Sequence, residues 1–209
     1  EAMSASLGDD RSRVVTGDVS EPADVERAVE QAVRGFGRLD VLVNNAAVGS
    51  AGRVEDLEPD DWKRVMDVSL GGVLNGMKYA VPAMRGTGGS IINVSSVAAR
   101  HALYAMTAYA AAKAAVEAAT RCAAIELRDD AIRVNAVAPG MIRSHAAEAS
   151  IPILDRAIPP SFDSFITHRQ GRWGEPSEIA AVIAHLAGDE ASFVTGQTYT
   201  IDHGASLLL

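Results

Sequence analysis

Tyr109 and Lys113 lie four residues apart in the run Tyr-Ala-Ala-Ala-Lys, so a helix brings a phenol and an ammonium group onto the same face. A phenol has a pKa near ~10 and exchanges protons poorly at neutral pH. A nearby positive charge stabilises the phenolate, and Lys113 can supply that charge. The pair can therefore do acid-base chemistry, although the same spacing on an alanine-rich helix is also typical of a solvent-facing surface.

Three apolar segments end in small or hydrogen-bonding residues, and each is typical of a buried strand. These segments are residues 39–47, 90–96 and 132–140. In open parallel sheets, ligands bind outside the carboxyl ends of the strands. The second segment ends at Ser96, and the third breaks at Pro139 and Gly140, shortly before Ser144. We therefore expect these groups to meet at one edge of a sheet, where a ligand would bind.

These residues resemble the motifs of the short-chain dehydrogenase/reductase family. The family's catalytic serine, Tyr-x-x-x-Lys, Asn-Asn-Ala-Gly and Pro-Gly-x-x-x-Thr motifs match, in the same order, Ser96, Tyr109 with Lys113, residues 44–47 and residues 139–144. The match runs from about residue 14 to the C terminus and includes residues 172–180 and 195–204. It implies an α/β fold in one domain spanning residues 1–209, a three-layer Rossmann-type doubly wound parallel sheet that lacks its first strand-helix-strand portion here.

The resemblance also implies an NAD(P)-dependent oxidoreductase that interconverts a secondary alcohol and a ketone by hydride transfer, with NAD or NADP as cofactor. The catalytic residues that it implies are Ser96, Tyr109, Lys113 and Ser69. The cofactor-binding residues that it implies are Asp18, Val19, Asn45, Ala46, Tyr109, Lys113, Pro139, Gly140, Ile142 and Ser144. Asp18 ends an apolar segment, where a carboxylate caps a helix or contacts adenine; the resemblance favours adenine, with Val19 packed beside the ring.

Three residues depart from the family pattern. Ala47 replaces the usual glycine, and His203 interrupts the terminal Asp-Gly-Gly. Ser69 stands where the family usually has a catalytic asparagine, which helps to hold a water for proton relay. The shorter Ser69 either preserves that relay with a shifted water or caps a bend in its helix.

The sequence lacks the glycine-rich turn that normally holds the cofactor pyrophosphate at a helix N terminus. In the family's strand order 3-2-1-4-5-6-7 the corresponding first strand is central. We therefore expect the predicted strand at residues 13–18 to stand apart from the sheet, and the strand at residues 39–47 to have an unpaired edge. We also expect roughly 40 residues, a little over one βαβ unit, to precede Glu1 in the complete protein, with a natural truncation as the alternative. The missing turn and Ser69 raise a rival function: a catalytically inert binding or assembly subunit.

Composition is consistent with a soluble cytoplasmic domain. The 209 residues are 48% hydrophobic, enough to bury a large core. A net charge of −8 argues against nucleic acid or anionic membrane as a partner, and no apolar run approaches the ~18 residues of a membrane span. The one cysteine, Cys122, cannot form an internal disulfide, and we expect it in the core. The scattered histidines lack the spacing of a helical zinc site, so no metal is expected.

Residues 141–172 follow the predicted strand at residues 132–140, where the family places its substrate lid. This segment is rich in apolar side chains, namely Ile151, Ile153, Leu154, Ile158, Phe162, Phe165 and Ile166. Such a lid favours a hydrophobic cyclic or acyl alcohol or ketone over a free sugar, unless these side chains only anchor the lid to the core. Family relatives also pair two long helices, here about 59–84 and 109–127, which predicts a homodimer or homotetramer.

Overall fold

Four parallel strands form a sheet in the order β1-β2-β3-β4. The strands are β1 (Val41–Asn44), β2 (Gly89–Val94), β3 (Ile132–Pro139) and β4 (Thr198–Ile201). The computed structural model describes residues 11–49, 51–144, 147–148, 151–152, 154–155 and 161–208. The three predicted segments at residues 39–47, 90–96 and 132–140 are confirmed as β1, β2 and β3, because apolar runs of this length pack well on both faces of a sheet.

The helices alternate with the strands along the chain. They are α1 (Pro22–Phe36), α2 (Pro59–Met66), α3 (Gly72–Met84), α4 (Thr107–Glu126), α5 (Phe162–Gln170) and α6 (Pro176–Ala187). Helices α1, α2 and α6 each begin with proline, which has no N–H to leave unsatisfied and a backbone angle suited to the first turn. A π-helical turn, Asp67–Gly71, joins α2 to α3. The long helix predicted at residues 59–84 is therefore present, with one turn of different hydrogen bonding.

Two clusters of the core cover the sheet, one on each face. On one face, α3 and α4 pack against Ile91 of β2 and Val134 of β3. On the other face, α6 packs against Ile92 of β2 and Val137 of β3. Successive strand side chains point to opposite faces, so both faces of the sheet are covered. This gives the three layers of a doubly wound α/β fold, as the sequence predicted.

The outer edge of β1 has no strand partner within the described part of the chain. Residues 13–18 belong to no strand, so the predicted strand at this position is wrong. The physical reason is that a strand needs a hydrogen-bonded neighbour, and the predicted separation from the sheet is confirmed. Between Val15 and Val43 lies an open, mostly apolar cavity of about 290 Å³.

Gly72 and Gly76 of α3 lie beside that cavity, and each lets another part of the chain pack closely against the helix. A Cβ atom added to Gly72 would lie 2.7 Å from a methyl carbon of Val19, and one added to Gly76 would overlap the side chain of Asn44. Asn44 in turn donates a hydrogen bond of 2.8 Å to Asn93 in β2. The two glycines therefore let α3 sit close to the segment carrying Val19 and to the end of β1.

Cys122 is exposed on α4, so its predicted place in the core is wrong. The helix carries alanine on both its buried and exposed faces, so small residues give little contrast between them. Among the described residues, no helix is long and apolar enough to cross a membrane.

Candidate active site

Ser96 lies just beyond the carboxyl end of β2, at the start of the 3₁₀ turn Val97–Ala99. Its hydroxyl oxygen accepts a hydrogen bond of 3.2 Å from the backbone N–H of Ala98, so the side chain caps the turn. The residue is buried, and the cap fixes the direction of its hydroxyl group. Because the oxygen accepts this bond, the hydroxyl proton remains able to donate to another group.

Tyr109 lies in the first turn of α4, where the hydroxyl of Ser96 is near enough to favour the charged form of the phenol. The two residues that the motifs proposed as partners are thus brought together. Burial raises the pKa of Tyr109 by penalising the charged phenolate, and the hydroxyl of Ser96 opposes this rise. Lys113 was predicted to lower the pKa of Tyr109. In the structure the pKa of Tyr109 is raised instead, because burial is the largest influence on it.

Lys113 is buried within α4, one turn after Tyr109, with 2% of its surface exposed. Its ammonium nitrogen, Nζ, donates a hydrogen bond of 2.6 Å to the carbonyl of Val94 at the end of β2. The same atom lies 5.6 Å from the centroid of the Tyr109 ring. Burial lowers the pKa of Lys113 to about 8, because the low-dielectric interior penalises the positive charge.

Ser69 lies in the π-helical turn Asp67–Gly71 and is fully buried. Its hydroxyl donates a hydrogen bond of 3.0 Å to the carbonyl of Val48 and accepts one of 3.1 Å from the N–H of Val48. The side chain therefore ties the loop that follows β1 to the long helix. Turns of this type occur often at functional sites, and here the turn directs Ser69 at that loop.

Asp18 and Val19 lie on the segment beside the unpaired edge of β1. The Asp18 carboxylate accepts hydrogen bonds from the backbone N–H and the hydroxyl of Ser20, at 2.9 and 2.7 Å, and these bonds lower its pKa. The N-cap of α1 is Glu21, so Asp18 is not the helix cap that the sequence left open. The Val19 carbonyl accepts a bond of 3.0 Å from Asn75.

The segment after β3 is held by contacts with the C-terminal part of the chain. The Gly140 N–H donates to the carbonyl of Ile201 at 2.9 Å, and Ile142 forms a parallel bridge with Gly174. The Ser144 hydroxyl accepts from the backbone N–H of Ala147 at 3.3 Å. Pro139 is the last residue of β3, so this segment leaves the sheet at the same edge as Ser96. Asn45 and Ala46 follow β1 at that edge, and both are exposed.

The described part of the predicted lid forms a small apolar cluster of its own. Leu154, Phe162 and Ile166 are buried, with Met141 and Trp173 packed against them. Ile153 and Ile158 lie outside the described residues. Beside the cluster is a cavity of about 280 Å³ whose walls include Val97, Leu103, Met141, Phe165 and Ile166, together with the polar residues His101, Arg169, Gln170, Asp202 and Ser206. Some lid side chains therefore serve as anchors, and others line a cavity whose walls also include Val97, the residue after Ser96.

Reasoning from motifs missed the polar groups that surround Ser96 without belonging to a motif. The Glu117 carboxylate, which is buried, lies 2.8 Å from Arg100 and accepts a hydrogen bond of 3.3 Å from the hydroxyl of Ser95. Glu117 lies on the same helix face as Tyr109 and Lys113, with a spacing of four residues at each step. That spacing could have indicated from the sequence that Glu117 lies near the site.

The comparisons with known proteins agree with this geometry. A family model described as enoyl-(acyl carrier protein) reductase matches residues 1–206. A 3-alpha-(or 20-beta)-hydroxysteroid dehydrogenase of Mycobacterium bovis is 38% identical over 205 residues, which cover 98% of this chain and 74% of that protein. The chain belongs to the short-chain dehydrogenase/reductase family. Two members of known structure superpose closely on this chain.

The crystal structure of levodione reductase has a TM-score of 0.87 and 36% identity, covering 92% of this chain and 76% of that one. A gluconate 5-dehydrogenase from Burkholderia cenocepacia, solved with NADP and tartrate, has a TM-score of 0.84 and 31% identity, covering 92% and 74%. As a short-chain dehydrogenase/reductase, the protein is an oxidoreductase that acts on CH–OH groups with NAD or NADP and takes small-molecule alcohols or ketones as substrates. This favours the enzyme over the inert assembly subunit.

The residues present fit such a cofactor at its nicotinamide ribose and at its adenine. An ammonium group has three N–H donors, and the bond to Val94 uses one of those on Lys113, so the same group can also bind ribose hydroxyls. The ionised Asp18 can accept a hydrogen bond from an adenine amino group. No glycine-rich turn occurs in the sequence, so no residue of this chain is assigned to the pyrophosphate.

Proposed function

We propose that Tyr109 is the acid-base residue of an alcohol/ketone oxidoreductase, with Ser96 and Lys113 as its partners. The observation that carries the proposal is the position of the buried Lys113 ammonium, which lies 5.6 Å from the Tyr109 ring and donates a hydrogen bond to Val94, at the end of the strand that leads to Ser96. When bound, the nicotinamide cofactor supplies the hydride acceptor or donor. Tyr109 exchanges the proton of the substrate oxygen, and Ser96 donates a hydrogen bond to that oxygen as negative charge develops.

The raised pKa of Tyr109 determines which direction of the reaction, reduction or oxidation, is favoured at a given pH. A phenol that stays protonated at neutral pH donates a proton to a carbonyl oxygen, as ketone reduction requires. Alcohol oxidation requires the phenolate, whose population grows as the pH rises toward the raised pKa. We therefore expect reduction to be favoured near neutral pH and oxidation to become faster in alkaline solution.

The remaining predicted residues complete the proposed cofactor site. Lys113 binds the nicotinamide ribose, and Ser144 contacts the carboxamide, near Ile142 at the edge formed by Pro139 and Gly140. Asp18 and Val19 contact adenine, and Asn45 and Ala46 contact the adenosine side.

The test is Tyr109→Phe, which removes the hydroxyl and keeps the ring. We expect turnover to be abolished, because no proton is exchanged, while NADH or NADPH binding measured by fluorescence is retained. Tyr79→Phe, on α3, is the matched control and should keep both properties. Turnover retained in Tyr109→Phe contradicts the proposed role.

We further propose a hydrophobic cyclic or acyl substrate, with residues 141–172 acting as its lid. The apolar side chains among the walls of the cavity at Val97 and Phe165 support this, and so does the steroid named for the relative from Mycobacterium bovis. The gluconate named for the Burkholderia relative favours the opposite class. A panel of cyclic and long-chain secondary alcohols against hexoses decides between them: higher kcat/KM for hexoses contradicts the hydrophobic lid.

A homodimer or homotetramer is the proposed assembly, and a reducing cytoplasm is the proposed location. The outward face of α4 carries Ala111, Ala114, Ala118 and Ile125, all exposed, and small side chains of this kind allow helices from two subunits to approach closely. A single cysteine is consistent with the cytoplasm. Light scattering at micromolar concentration tests the assembly, and a monomer contradicts it.

A further inference from the structure

Glu117 contacts the chain on both sides of Ser96. Its Oε1 lies 3.3 Å from the hydroxyl oxygen of Ser95, the residue before, and shares the single proton of that hydroxyl with the carbonyl of Lys113. Its Oε2 accepts a hydrogen bond of 2.8 Å from Nε of Arg100, which ends the turn that Ser96 begins. The segment carrying Ser96 is therefore held at two points by one carboxylate.

The same carboxylate belongs to the helix that carries Tyr109. Glu117 is eight residues after Tyr109 on α4, which places both on one helix face, and the hydroxyl of Ser95 also contacts the carbonyl of Lys113 at 3.2 Å. A helix of this length is stiff, so a fixed distance from Glu117 to the Ser96 segment also fixes the distance from Ser96 to Tyr109.

Burial makes these contacts energetically important. Glu117 is 4% exposed, whereas the Arg100 side chain is nearly half exposed. A buried carboxylate is costly unless it is paired and hydrogen-bonded, so the Ser96 segment cannot move away from Glu117 without leaving that charge uncompensated.

We propose that Glu117 is a positioning residue, which through Ser95 and Arg100 holds the hydroxyl of Ser96 at the hydroxyl of Tyr109. The proposal rests on the proposed function, in which these two hydroxyl groups meet the substrate oxygen. Glu117 itself touches neither substrate nor cofactor. Glu117 affects the reaction only by fixing the position of Ser96.

The test compares Glu117→Ala, which removes both contacts, with Glu117→Gln, whose amide has the same shape and can keep hydrogen bonds to Ser95 and Arg100. We expect Glu117→Ala to lower kcat by about 10- to 100-fold, the scale on which small misplacements act, with KM for the cofactor little changed. Glu117→Gln should restore much of the rate. Arg85→Gln, which removes an exposed pair with Asp130 near the amino ends of the strands, is the control and should match wild type.

A second readout follows Tyr109 directly, without turnover. The protein has four tyrosines, and ring-carbon labelling with ¹³C, assigned through Tyr109→Phe, gives the titration of Tyr109 by NMR. Because the hydroxyl of Ser96 lowers the pKa of Tyr109, displacing Ser96 in Glu117→Ala should move this titration to higher pH. Lys113 also faces the ring, and it is unchanged in these variants.

Wild-type kcat and an unmoved Tyr109 titration in folded Glu117→Ala overturn the proposal and leave Glu117 a purely structural residue. If that variant is not recovered folded, Arg100→Gln decides, since it changes a half-exposed side chain and leaves the contact between Ser95 and Glu117. Wild-type behaviour in Arg100→Gln then overturns the proposal. Failure of the proposed function is distinct, because wild type would lack turnover while the titration still reports on Ser96 and Tyr109.

Discussion

Replacing Lys113 with methionine should stabilise the folded protein near neutral pH while abolishing its turnover. Lys113 is buried, and burial lowers its pKa from 10.5 to about 8. In the unfolded chain the ammonium is fully hydrated, so folding at pH 7 must desolvate a positive charge. Methionine fills a similar volume without that charge, and replacing a buried charge by an apolar group is often stabilising.

The size of the effect follows from the shift of the pKa. Lowering the pKa of Lys113 from 10.5 to about 8, at about 1.36 kcal/mol for each tenfold change in proton affinity, gives a folding penalty of about 3 kcal/mol below pH 8. Between pH 8 and 10.5 the unfolded state binds more protons at this site than the folded state, so stability rises with pH across that window. The advantage of Lys113→Met should therefore shrink by about 2.5 kcal/mol between pH 7 and pH 10.

Urea unfolding of wild type and Lys113→Met at a series of pH values measures this difference. Lys113→Met also loses the hydrogen bond to Val94 and changes the packing. These effects change the free energy of unfolding by an amount that varies little with pH. Every other titrating group is common to both proteins and cancels. Lys63→Met, at an exposed lysine, is the control and should give a difference that is flat with pH. A flat difference for Lys113→Met as well would refute the claim that burial perturbs this lysine.

Three further substitutions test the packing around the site, each measured by urea unfolding. Gly76→Ala should destabilise, because overlap with Asn44 costs about 1–3 kcal/mol against a helix-propensity gain of about 1 kcal/mol; unchanged stability means that Asn44 moves aside freely. Ser69→Ala should cost about 1–3 kcal/mol by leaving the backbone groups of Val48 unpaired, and a neutral result contradicts the tie to that loop. Ala131→Gly should stabilise by about 0.5–1 kcal/mol, because Ala131 has φ of 56° in the left-handed region that glycine adopts without strain; a loss of stability contradicts that strain.

The sequence predicted those parts of the fold that depend on local patterns. Residues 90–96 and 132–140 predicted β2 and β3 because long apolar runs bounded by polar residues have few alternatives to a buried strand. Tyr109 and Lys113 were predicted to share a helix face because helical spacing is a local property. The strand predicted at residues 13–18 was wrong because strand formation depends on a neighbour, which an isolated apolar segment does not reveal.

The contacts around the site could not be predicted in the same way. The pair of Arg100 and Glu117 spans 17 residues, and its geometry depends on the 3₁₀ turn and on the phase of α4. Cys122 was wrongly predicted to lie in the core, because alanines occur on both the buried and the exposed face of α4 and do not distinguish them. In both cases the missing information is the three-dimensional environment, which no spacing rule contains.

Ser69 shows how a departure from the family pattern acquires meaning only from its surroundings. A serine hydroxyl has one proton, and here that proton is directed at the carbonyl of Val48, while the oxygen accepts the N–H of the same residue. The side chain thus acts toward Val48 as a neighbouring strand would, with one donor and one acceptor on a single backbone unit. Its proton is engaged, so the side chain positions the loop that carries Asn45 and Ala46, and in the proposed mechanism proton exchange falls to Tyr109 with Ser96 and Lys113.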